Sequence, residues 1–141
     1  MKILILCTGN SCRSQMAHGF LQSFDKRLQV FSAGTKPAEN VNTMAVDVMK
    51  RAGIDISDHT PKHVDAFLND YWDYVITVCD NANETCPVFP GKVRHRLHMG
   101  FDDPSAATGS YIEILNEFYR VRNEIRDEFF KLYESELKKK L

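Results

Sequence analysis

Three features of this 141-residue chain predict an α/β fold with a mostly parallel sheet. Short apolar runs alternate with segments of helical periodicity, as in proteins where strands and helices follow one another. The run Tyr74–Val78 is almost continuously apolar, which suits a strand that is covered on both faces. The length and the ordinary composition, 43% hydrophobic and 26% charged, fit one core, so residues 1–141 are predicted to form a single domain.

Four segments read as strands. The first, Lys2–Leu6, is too short for a helix and is followed by a Gly-Asn turn signal. The second is stopped by Gly34 and Pro37, since both residues interrupt regular structure. The predicted strands are Lys2–Leu6, Gln29–Ala33, Tyr74–Val78 and Arg94–His98.

The helices are predicted from apolar spacing and from capping residues. Asn42 or Thr43 can cap a helix that runs to about Ala52, where Gly53 provides a stop. The clearest helix begins near Ser110 and keeps its apolar residues on one side. The predicted helices are Ser14–Leu28, 43–52, the segment from Ser110 onward and, at most as a short turn, Asp65–Asn69.

The charge balance excludes several classes of function. Eighteen basic and nineteen acidic side chains give a net charge of −1, so no basic field indicates nucleic acid or a membrane surface. The first apolar run has four residues, far fewer than the roughly 20 that span a bilayer or the longer stretch of a signal peptide. We therefore expect a soluble, cytoplasmic protein. Four cysteines in a reducing compartment suggest catalysis, redox chemistry or metal binding more than structural bridges.

The segment C-T-G-N-S-C-R-S, residues 7–14, is predicted to bind an anion. It lies between the first strand and the first helix, where ligands of α/β sheets bind. A loop that opens a helix presents free backbone N–H groups, and Gly9 and Asn10 tolerate the positive φ angles that turn such groups inward. Arg13 adds a planar fork of donors that matches a tetrahedral oxyanion. The predicted oxyanion-binding residues are Thr8, Gly9, Asn10, Ser11, Cys12 and Arg13.

Cys7 begins this loop and is the predicted nucleophile. The same N–H groups and Arg13 would stabilise its thiolate, which predicts a pKa below the ordinary value of roughly 8.5. Ser14 could donate a further hydrogen bond to the sulfur. Cys12 stands at the helix start without an obvious partner and is expected to have a packing role for its side chain. The loop lacks the Gly-Lys-Ser/Thr ending of a nucleotide P-loop, which disfavours ATP or GTP.

Cys79 and Cys86 form a second cysteine pair. Cys79 ends the third strand and should emerge at the same sheet edge as Cys7. Six polar or small residues separate it from Cys86, and a spacer without core side chains unfolds at little cost. The pair could be redox-active, two unrelated thiols, or half of a metal site. The spacing lacks the C-x2-C pattern of zinc sites, so no metal is predicted.

The motif Cys7-(x)5-Arg13-Ser14 resembles the active-site loop of the low-molecular-weight protein tyrosine phosphatases, and Asp103-Pro104 resembles the general-acid motif of that family. The adjacent Asp102 lacks the following proline. The resemblance extends over nearly the whole chain and implies a three-layer α/β/α sandwich with a four-stranded parallel sheet. The stretches most similar to thioredoxin-coupled arsenate reductases, which share this fold, are Cys7–Ala17, Cys79–Pro87 and Gly100–Pro104.

The resemblance implies a mechanism without a cofactor. Arsenate binds the loop, where phosphate or sulfate could mimic it. Cys7 attacks arsenic while Asp103 protonates the departing hydroxyl, and Cys79 then attacks the Cys7 sulfur, which releases arsenite. Cys86 moves the disulfide to Cys79–Cys86, and thioredoxin reduces it. We expect a monomer.

The resemblance also has a departure and leaves an alternative open. Some members bind potassium through Asn, Glu, Ser and Asp, but the matching positions here are Asn10, His18, Ser32 and Lys62. Because both carboxylates are absent, we predict no potassium dependence. The alternative function is a phosphotyrosine phosphatase that acts through a phosphocysteine at Cys7. Against it, the residues after Pro104 are Ser-Ala-Ala, whereas the phosphatases usually carry aromatic residues there. A non-catalytic thiol switch would need neither Arg13 nor Asp103.

Overall fold

One sheet of four parallel strands organises the molecule. The computed structural model describes residues 1–80, 84 and 87–141. The strand order is β2-β1-β3-β4, so the first strand is central and pairs with both the second and the third. The predicted α/β fold with a four-stranded parallel sheet is confirmed. The strands are β1 Lys2–Cys7, β2 Gln29–Gly34, β3 Tyr71–Thr77 and β4 Lys92–His98.

The central strand is buried on both faces, which explains its continuous apolar sequence. Ile3 and Ile5 pack into the larger core cluster, while Leu4 and Leu6 pack into a second cluster on the other side. This division follows from the period of two along a strand. Each of these four side chains has no exposed surface, so burial of β1 contributes roughly 1.5–3 kcal/mol per residue.

Within the described part of the chain, three α-helices cover one face of the sheet, and all three contribute to the larger cluster. The opposite face is covered in the described residues by a 3₁₀ turn, Val64–Phe67, and by Trp72 and Phe89. The expected short helix at Asp65–Asn69 is this turn. The helices are α1 Arg13–Phe24, α2 Thr43–Arg51 and α3 Tyr111–Leu132, and α3 is followed by helical turns over Tyr133–Leu137 and Lys138–Lys140.

Capping residues set the helix boundaries. Asn42 caps α2 and accepts hydrogen bonds from the N–H groups of Met44 and Ala45, as predicted. Ser110 begins α3 with a capping box that it shares with Glu113.

The first helix is shorter than predicted. It ends at Phe24 instead of Leu28, because Asp25 adopts an extended backbone and its carboxylate accepts the N–H of Arg27. This local hydrogen bond competes with continuation of the helix. Within the described residues, no helix combines the length and apolar content that a bilayer crossing requires.

Candidate active site

The loop between β1 and α1 turns its carbonyl oxygens away from its centre. Residues 36–42 and the first turn of α1 donate hydrogen bonds to these oxygens from outside. In a trans peptide the carbonyl and the following N–H point in opposite directions, so the loop's N–H groups face its interior. These hydrogen bonds arrange the loop as a cup of backbone donors, and the binding of an oxyanion there stays a prediction. The donor–acceptor pairs are Lys36 N to Thr8 O at 3.0 Å, Ala38 N to Gly9 O at 2.9 Å, Asn42 N to Ser11 O at 2.9 Å and Met16 N to Cys12 O at 2.9 Å.

Asn10 has the left-handed backbone that the loop requires, with φ of 51°. Three hydrogen bonds hold it there, and the residue is 1% exposed. Its Nδ2 donates to Ser14 Oγ at 2.8 Å, its Oδ1 accepts the Lys62 N–H at 2.9 Å, and its carbonyl accepts Gln15 Nε2 at 3.1 Å. The loop is therefore held in shape before any anion arrives.

Arg13 extends its guanidinium from the first residue of α1 to the rim of the cup. The side chain is buried, and Nη1 donates to the carbonyl of Phe101 at 3.1 Å. Its Nη2 lies 3.7 Å from Asp103 Oδ2, so the arginine joins the loop to the Asp103-Pro104 motif. These contacts place the predicted anion ligand and the predicted acid on the same cavity.

The carboxylate of Glu84, which was not among the predicted site residues, binds the Nη groups of Arg13. Its carboxylate accepts hydrogen bonds from both Nη groups of Arg13, from Thr8 Oγ1 at 3.1 Å and from Asp80 N at 2.7 Å. Burial opposes ionisation of Glu84, but the hydrogen bonds from Arg13 and Asp80 hold its pKa below the usual value. A protein carboxylate thus stands where an oxyanion would meet the guanidinium.

Cys7 is a free, buried thiol at the end of β1. The prediction of a lowered pKa is wrong for this state of the site. Burial raises the pKa of the thiol, and this effect outweighs the lowering by Arg13 and by the Thr8 N–H. Glu84 and Asp103 raise it further, because both place negative charge near the sulfur.

Cys12 and Ser14 complete the loop as buried side chains. Burial raises the pKa of Cys12 to about 12, which fits a packing role for its side chain better than a nucleophilic one. Ser14 Oγ accepts from Asn10, which leaves its own hydrogen to donate. Donation to the Cys7 sulfur stays a prediction.

Asp103 stands at the start of the 3₁₀ turn Pro104–Ala106. Its Oδ1 accepts hydrogen bonds from the N–H of Ser105 at 3.0 Å and from Ser105 Oγ at 2.7 Å. Its side chain is 38% exposed and lines a cavity of about 270 Å³ with loop residues 7–13 and Glu84. The Asp103 carboxyl thus borders both the solvent and the cavity of the loop.

Cys79 lies just after β3 and is fully buried in the same core cluster as Cys7. Its position next to β1 follows from the sheet register, in which Leu6 is opposite Thr77 and the Val78 N–H donates to Leu6 O at 3.0 Å. Cys79 is disulfide-bonded in this structure. The predicted role of Cys86 lies outside the described residues.

The four positions that match the potassium ligands do not fit that ion here. Asn10 Oδ1 already accepts the Lys62 N–H, and Ser32 Oγ is paired with His18 Nδ1 at 3.0 Å. None of the four carries a carboxylate, and the Lys62 ammonium donates to Thr60 Oγ1 at 3.1 Å. A monovalent cation would find already bonded groups without negative charge, and one of the four is itself a cation.

The fold and this loop define the class of protein. The family model of the low molecular weight phosphotyrosine protein phosphatases matches residues 2–141, and the chain belongs to that family. Within it, the chain is 46% identical to an arsenate reductase of Shouchella clausii over 124 residues, which covers 87% of this chain and 88% of that protein.

Solved structures agree with the sequence relationship. An arsenate reductase in a phosphate-binding state superposes with a TM-score of 0.79 at 28% identity, over 95% of this chain and 97% of the other. A thioredoxin-dependent arsenate reductase of Corynebacterium glutamicum gives a TM-score of 0.65 at 26% identity, over 95% of this chain and 60% of the other.

Sequence reasoning missed residues whose contribution depends on distant contacts. Glu84 is 71 positions from Arg13, and no local pattern marks it as an anion-site residue. His59 Nδ1 donates to Gln15 Oε1 at 2.9 Å, and Gln15 Nε2 in turn donates to the carbonyl of Asn10. Only the Gln15 position, two residues into α1, could have been suspected from sequence.

Proposed function

We propose that the protein reduces arsenate to arsenite, with Cys7 as the nucleophile and Cys79 and Cys86 as the redox pair. The observation that carries the proposal is the juxtaposition of two sulfur centres. A free Cys7 sits in a cup of anion donors, and a disulfide-bonded Cys79 lies buried in the same cluster at the end of the next strand. A phosphatase needs the first feature and has no use for the second.

The first half of the reaction is a substitution at arsenic. The N–H groups of residues 8–13 and the Arg13 guanidinium bind the oxyanion, after Glu84 has left the arginine. The Cys7 thiolate attacks arsenic and forms an S–As bond, while one hydroxyl leaves as water with a proton from Asp103. Bound arsenate is surrounded by donors whose positions are fixed in advance, which stabilises the developing charge.

The second half moves two electrons. The Cys79 thiolate attacks the Cys7 sulfur, the S–As bond breaks, and its electron pair stays on arsenic, which leaves as arsenite. The Cys7–Cys79 disulfide then receives the Cys86 thiolate at Cys79, so that Cys7 is released and a Cys79–Cys86 disulfide remains. A dithiol reductant of the thioredoxin type restores both thiols and becomes oxidised itself.

The cellular setting is part of the proposal. Thioredoxin is proposed as the reductant because a structural neighbour is thioredoxin-dependent. Cytoplasmic location and a monomeric state stay predictions from sequence. The single-domain organisation over residues 1–141 is proposed on the single sheet and the full-length family match.

Arsenate-dependent consumption of NADPH with thioredoxin and thioredoxin reductase tests the function directly. Wild type should consume NADPH only when arsenate is present. Serine at position 7, 79 or 86 should abolish turnover, and C86S should accumulate the Cys7–Cys79 disulfide, seen by mass spectrometry after digestion. R126Q on the exposed face of α3 is the matched control. A C86S protein with normal turnover would overturn the relay.

The second candidate function is hydrolysis of phosphotyrosine through a phosphocysteine at Cys7. The family relationship and the Cys7–Arg13–Asp103 geometry favour it. The turn after Asp103 presents Pro104, Ser105 and Ala106, which offer no aromatic wall for a tyrosine ring. Turnover of phosphotyrosine with no arsenate reduction would select this candidate.

A further inference from the structure

We propose that Arg120 of α3 is a positioning residue for the acid step. It holds Asp102 and thereby fixes where the neighbouring Asp103 carboxyl stands above the anion loop. The inference rests on the proposed role of Asp103 as the acid, and it adds a residue from the far helix to the site.

The guanidinium of Arg120 is fixed by its own helix before it reaches the loop. Its Nε and Nη2 fork onto Glu117 at 3.1 and 2.7 Å, and its Nη1 donates to Glu124 at 2.9 Å. Glu117 lies one turn before Arg120 and Glu124 one turn after it, which is the spacing of neighbours on a helix surface. With its conformation already restricted, the arginine can order a third partner at little further entropic cost.

That third partner is Asp102. Arg120 Nη2 donates to Asp102 Oδ2 at 2.9 Å across 18 positions of sequence. The preceding residue, Phe101, is held independently, since its carbonyl accepts Arg13 Nη1 at 3.1 Å and its ring stacks on Phe129 of α3. The segment before Asp103 is thus attached to the loop at Phe101 and to α3 at Phe101 and Asp102.

Asp103 itself has few restraints of its own. Its Oδ1 is bonded within the turn to Ser105, and its Oδ2 is 3.7 Å from Arg13 Nη2, beyond hydrogen-bond distance. The position of its carboxyl over the cup therefore depends on the backbone on either side, and Arg120 fixes one side. A displacement of about 1 Å at an acid can lower a rate up to about 100-fold.

The contact is poorly suited to a purely stabilising role. The side chains of Arg120 and Asp102 are 39% and 62% exposed, and exposed pairs contribute little to folding. Arg120 does not line the cavity that Asp103 and the loop enclose. Its effect should consequently appear in the rate of the acid step and leave anion binding and thermal stability almost unchanged.

The test is single-turnover release of arsenite from fully reduced protein, which needs no thioredoxin. D103N should lower the rate about 100-fold, the usual contribution of a general acid. R120Q and D102N should each lower it about 10-fold, with half-saturating arsenate unchanged within about twofold. R126Q, which loses only the exposed pair with Asp127, should react like wild type.

The double variant R120Q/D103N distinguishes positioning from a general structural effect. If Arg120 acts through Asp103, the double variant should react no more slowly than D103N alone. A full further 10-fold loss would overturn the inference, as would a wild-type rate in both R120Q and D102N. If R120Q fails to fold, D102N breaks the same contact from the exposed side and decides the question.

If the reductase proposal is wrong, the positioning role of Arg120 can still be tested with a second substrate. If wild type releases no arsenite, the same variants are compared in hydrolysis of phenyl phosphate, whose basic phenolate leaving group needs a proton from the same acid. The same non-additivity is expected there. With either substrate, a D103N protein as fast as wild type would overturn the positioning role together with the acid role. If that result is obtained with arsenate as the substrate, the reductase proposal stands.

Discussion

Single side chains set the chemical state of the anion loop. The Glu84 carboxylate accepts hydrogen bonds from Arg13 and from Thr8, so it supplies from within the chain a negative charge at the proposed anion site. Burial is the main cause of the raised pKa of Cys7, and the nearby negative charge of Glu84 adds to it. A substrate oxyanion must displace this carboxylate, because the two need the same guanidinium.

Removing the charge of Glu84 should therefore strengthen anion binding. We expect E84Q to bind phosphate about 3- to 10-fold more tightly than wild type, a modest effect because the carboxylate is partly exposed. Calorimetry with inorganic phosphate on the oxidised protein measures this. The control is E128Q, which removes an exposed carboxylate paired with Lys131. Equal phosphate affinity in E84Q and wild type would contradict the displacement.

The same substitution should make Cys7 more reactive. Loss of the Glu84 charge lowers the pKa of Cys7, so the thiolate fraction at pH 7 increases and alkylation by iodoacetamide accelerates. Cys12, with a pKa of about 12, should stay slow and serve as the internal reference. Tandem mass spectrometry of the tryptic peptide Ile3–Arg13, which contains both cysteines, assigns the label to each site.

The four residues at the potassium-ligand positions lead to a prediction about salts. Because Asn10 and Ser32 are already bonded within the protein and no carboxylate is present, we expect potassium and sodium chloride at equal ionic strength to give the same arsenate turnover. A clear increase with potassium alone would show that a cation site forms in spite of these hydrogen bonds.

At the scale of elements, the end of β2 supports the loop through a close backbone approach. Gly34 pairs with Cys7 across the sheet, and a Cβ at Gly34 would stand 2.3 Å from the carbonyl oxygen of Thr8. That oxygen is backbone and cannot rotate away. The shape of the anion cup thus depends on a glycine in the neighbouring strand.

G34A should distort the cup. We expect phosphate binding to weaken at least 10-fold and stability to fall by about 1–3 kcal/mol, as in other overpacked sites. The matched comparison is G53A, where φ of +82° makes alanine strained but no atom lies within 4 Å. G53A should lose stability, by about 1–2 kcal/mol, without loss of phosphate affinity. Unchanged binding in G34A would contradict the support role.

Across the whole molecule, a pair of histidines links folding to pH. The rings of His18 on α1 and His59 on the segment after α2 lie 4.6 Å apart. Burial, and then the charge of His59, lower the pKa of His18 to about 4. The unfolded chain, with an ordinary value of 6.5, binds a proton that the folded chain rejects, so this stability is present above pH 6.5 and is lost as pH falls toward 4.

Urea denaturation between pH 7 and pH 4.5 should therefore show a decline in the free energy of unfolding, to which His18 contributes roughly 1–3 kcal/mol. H18Q should have a visibly flatter profile, because the titrating ring is gone while a hydrogen bond to Ser32 stays possible. H63Q, at an exposed position, should follow wild type. Parallel profiles for H18Q and wild type would contradict this linkage.

Much of the architecture could be predicted because it depends on local patterns. Continuous apolar strands, a cap at Asn42 or Thr43 and a helix start near Ser110 each follow from a few consecutive residues. The fold confirms the strands and selects Asn42 and Ser110 as the caps. Strand ends were less well placed: β3 begins at Tyr71 instead of Tyr74, and β4 at Lys92 instead of Arg94. There, pairing with the neighbouring strand extends segments whose own residues are polar or mixed.

The linear order of residues by itself determined the parallel α/β fold and the family, and it determined that Cys7, Asn10 and Arg13 share one loop. These features arise from periodicity and from neighbours in the chain. Only the tertiary structure decided that Glu84 occupies Arg13, that burial raises the pKa of Cys7, and that Arg120 reaches Asp102. The physical reason is that burial and long-range charge contacts depend on which surfaces pack together. The residues next to one another in the sequence do not specify that packing.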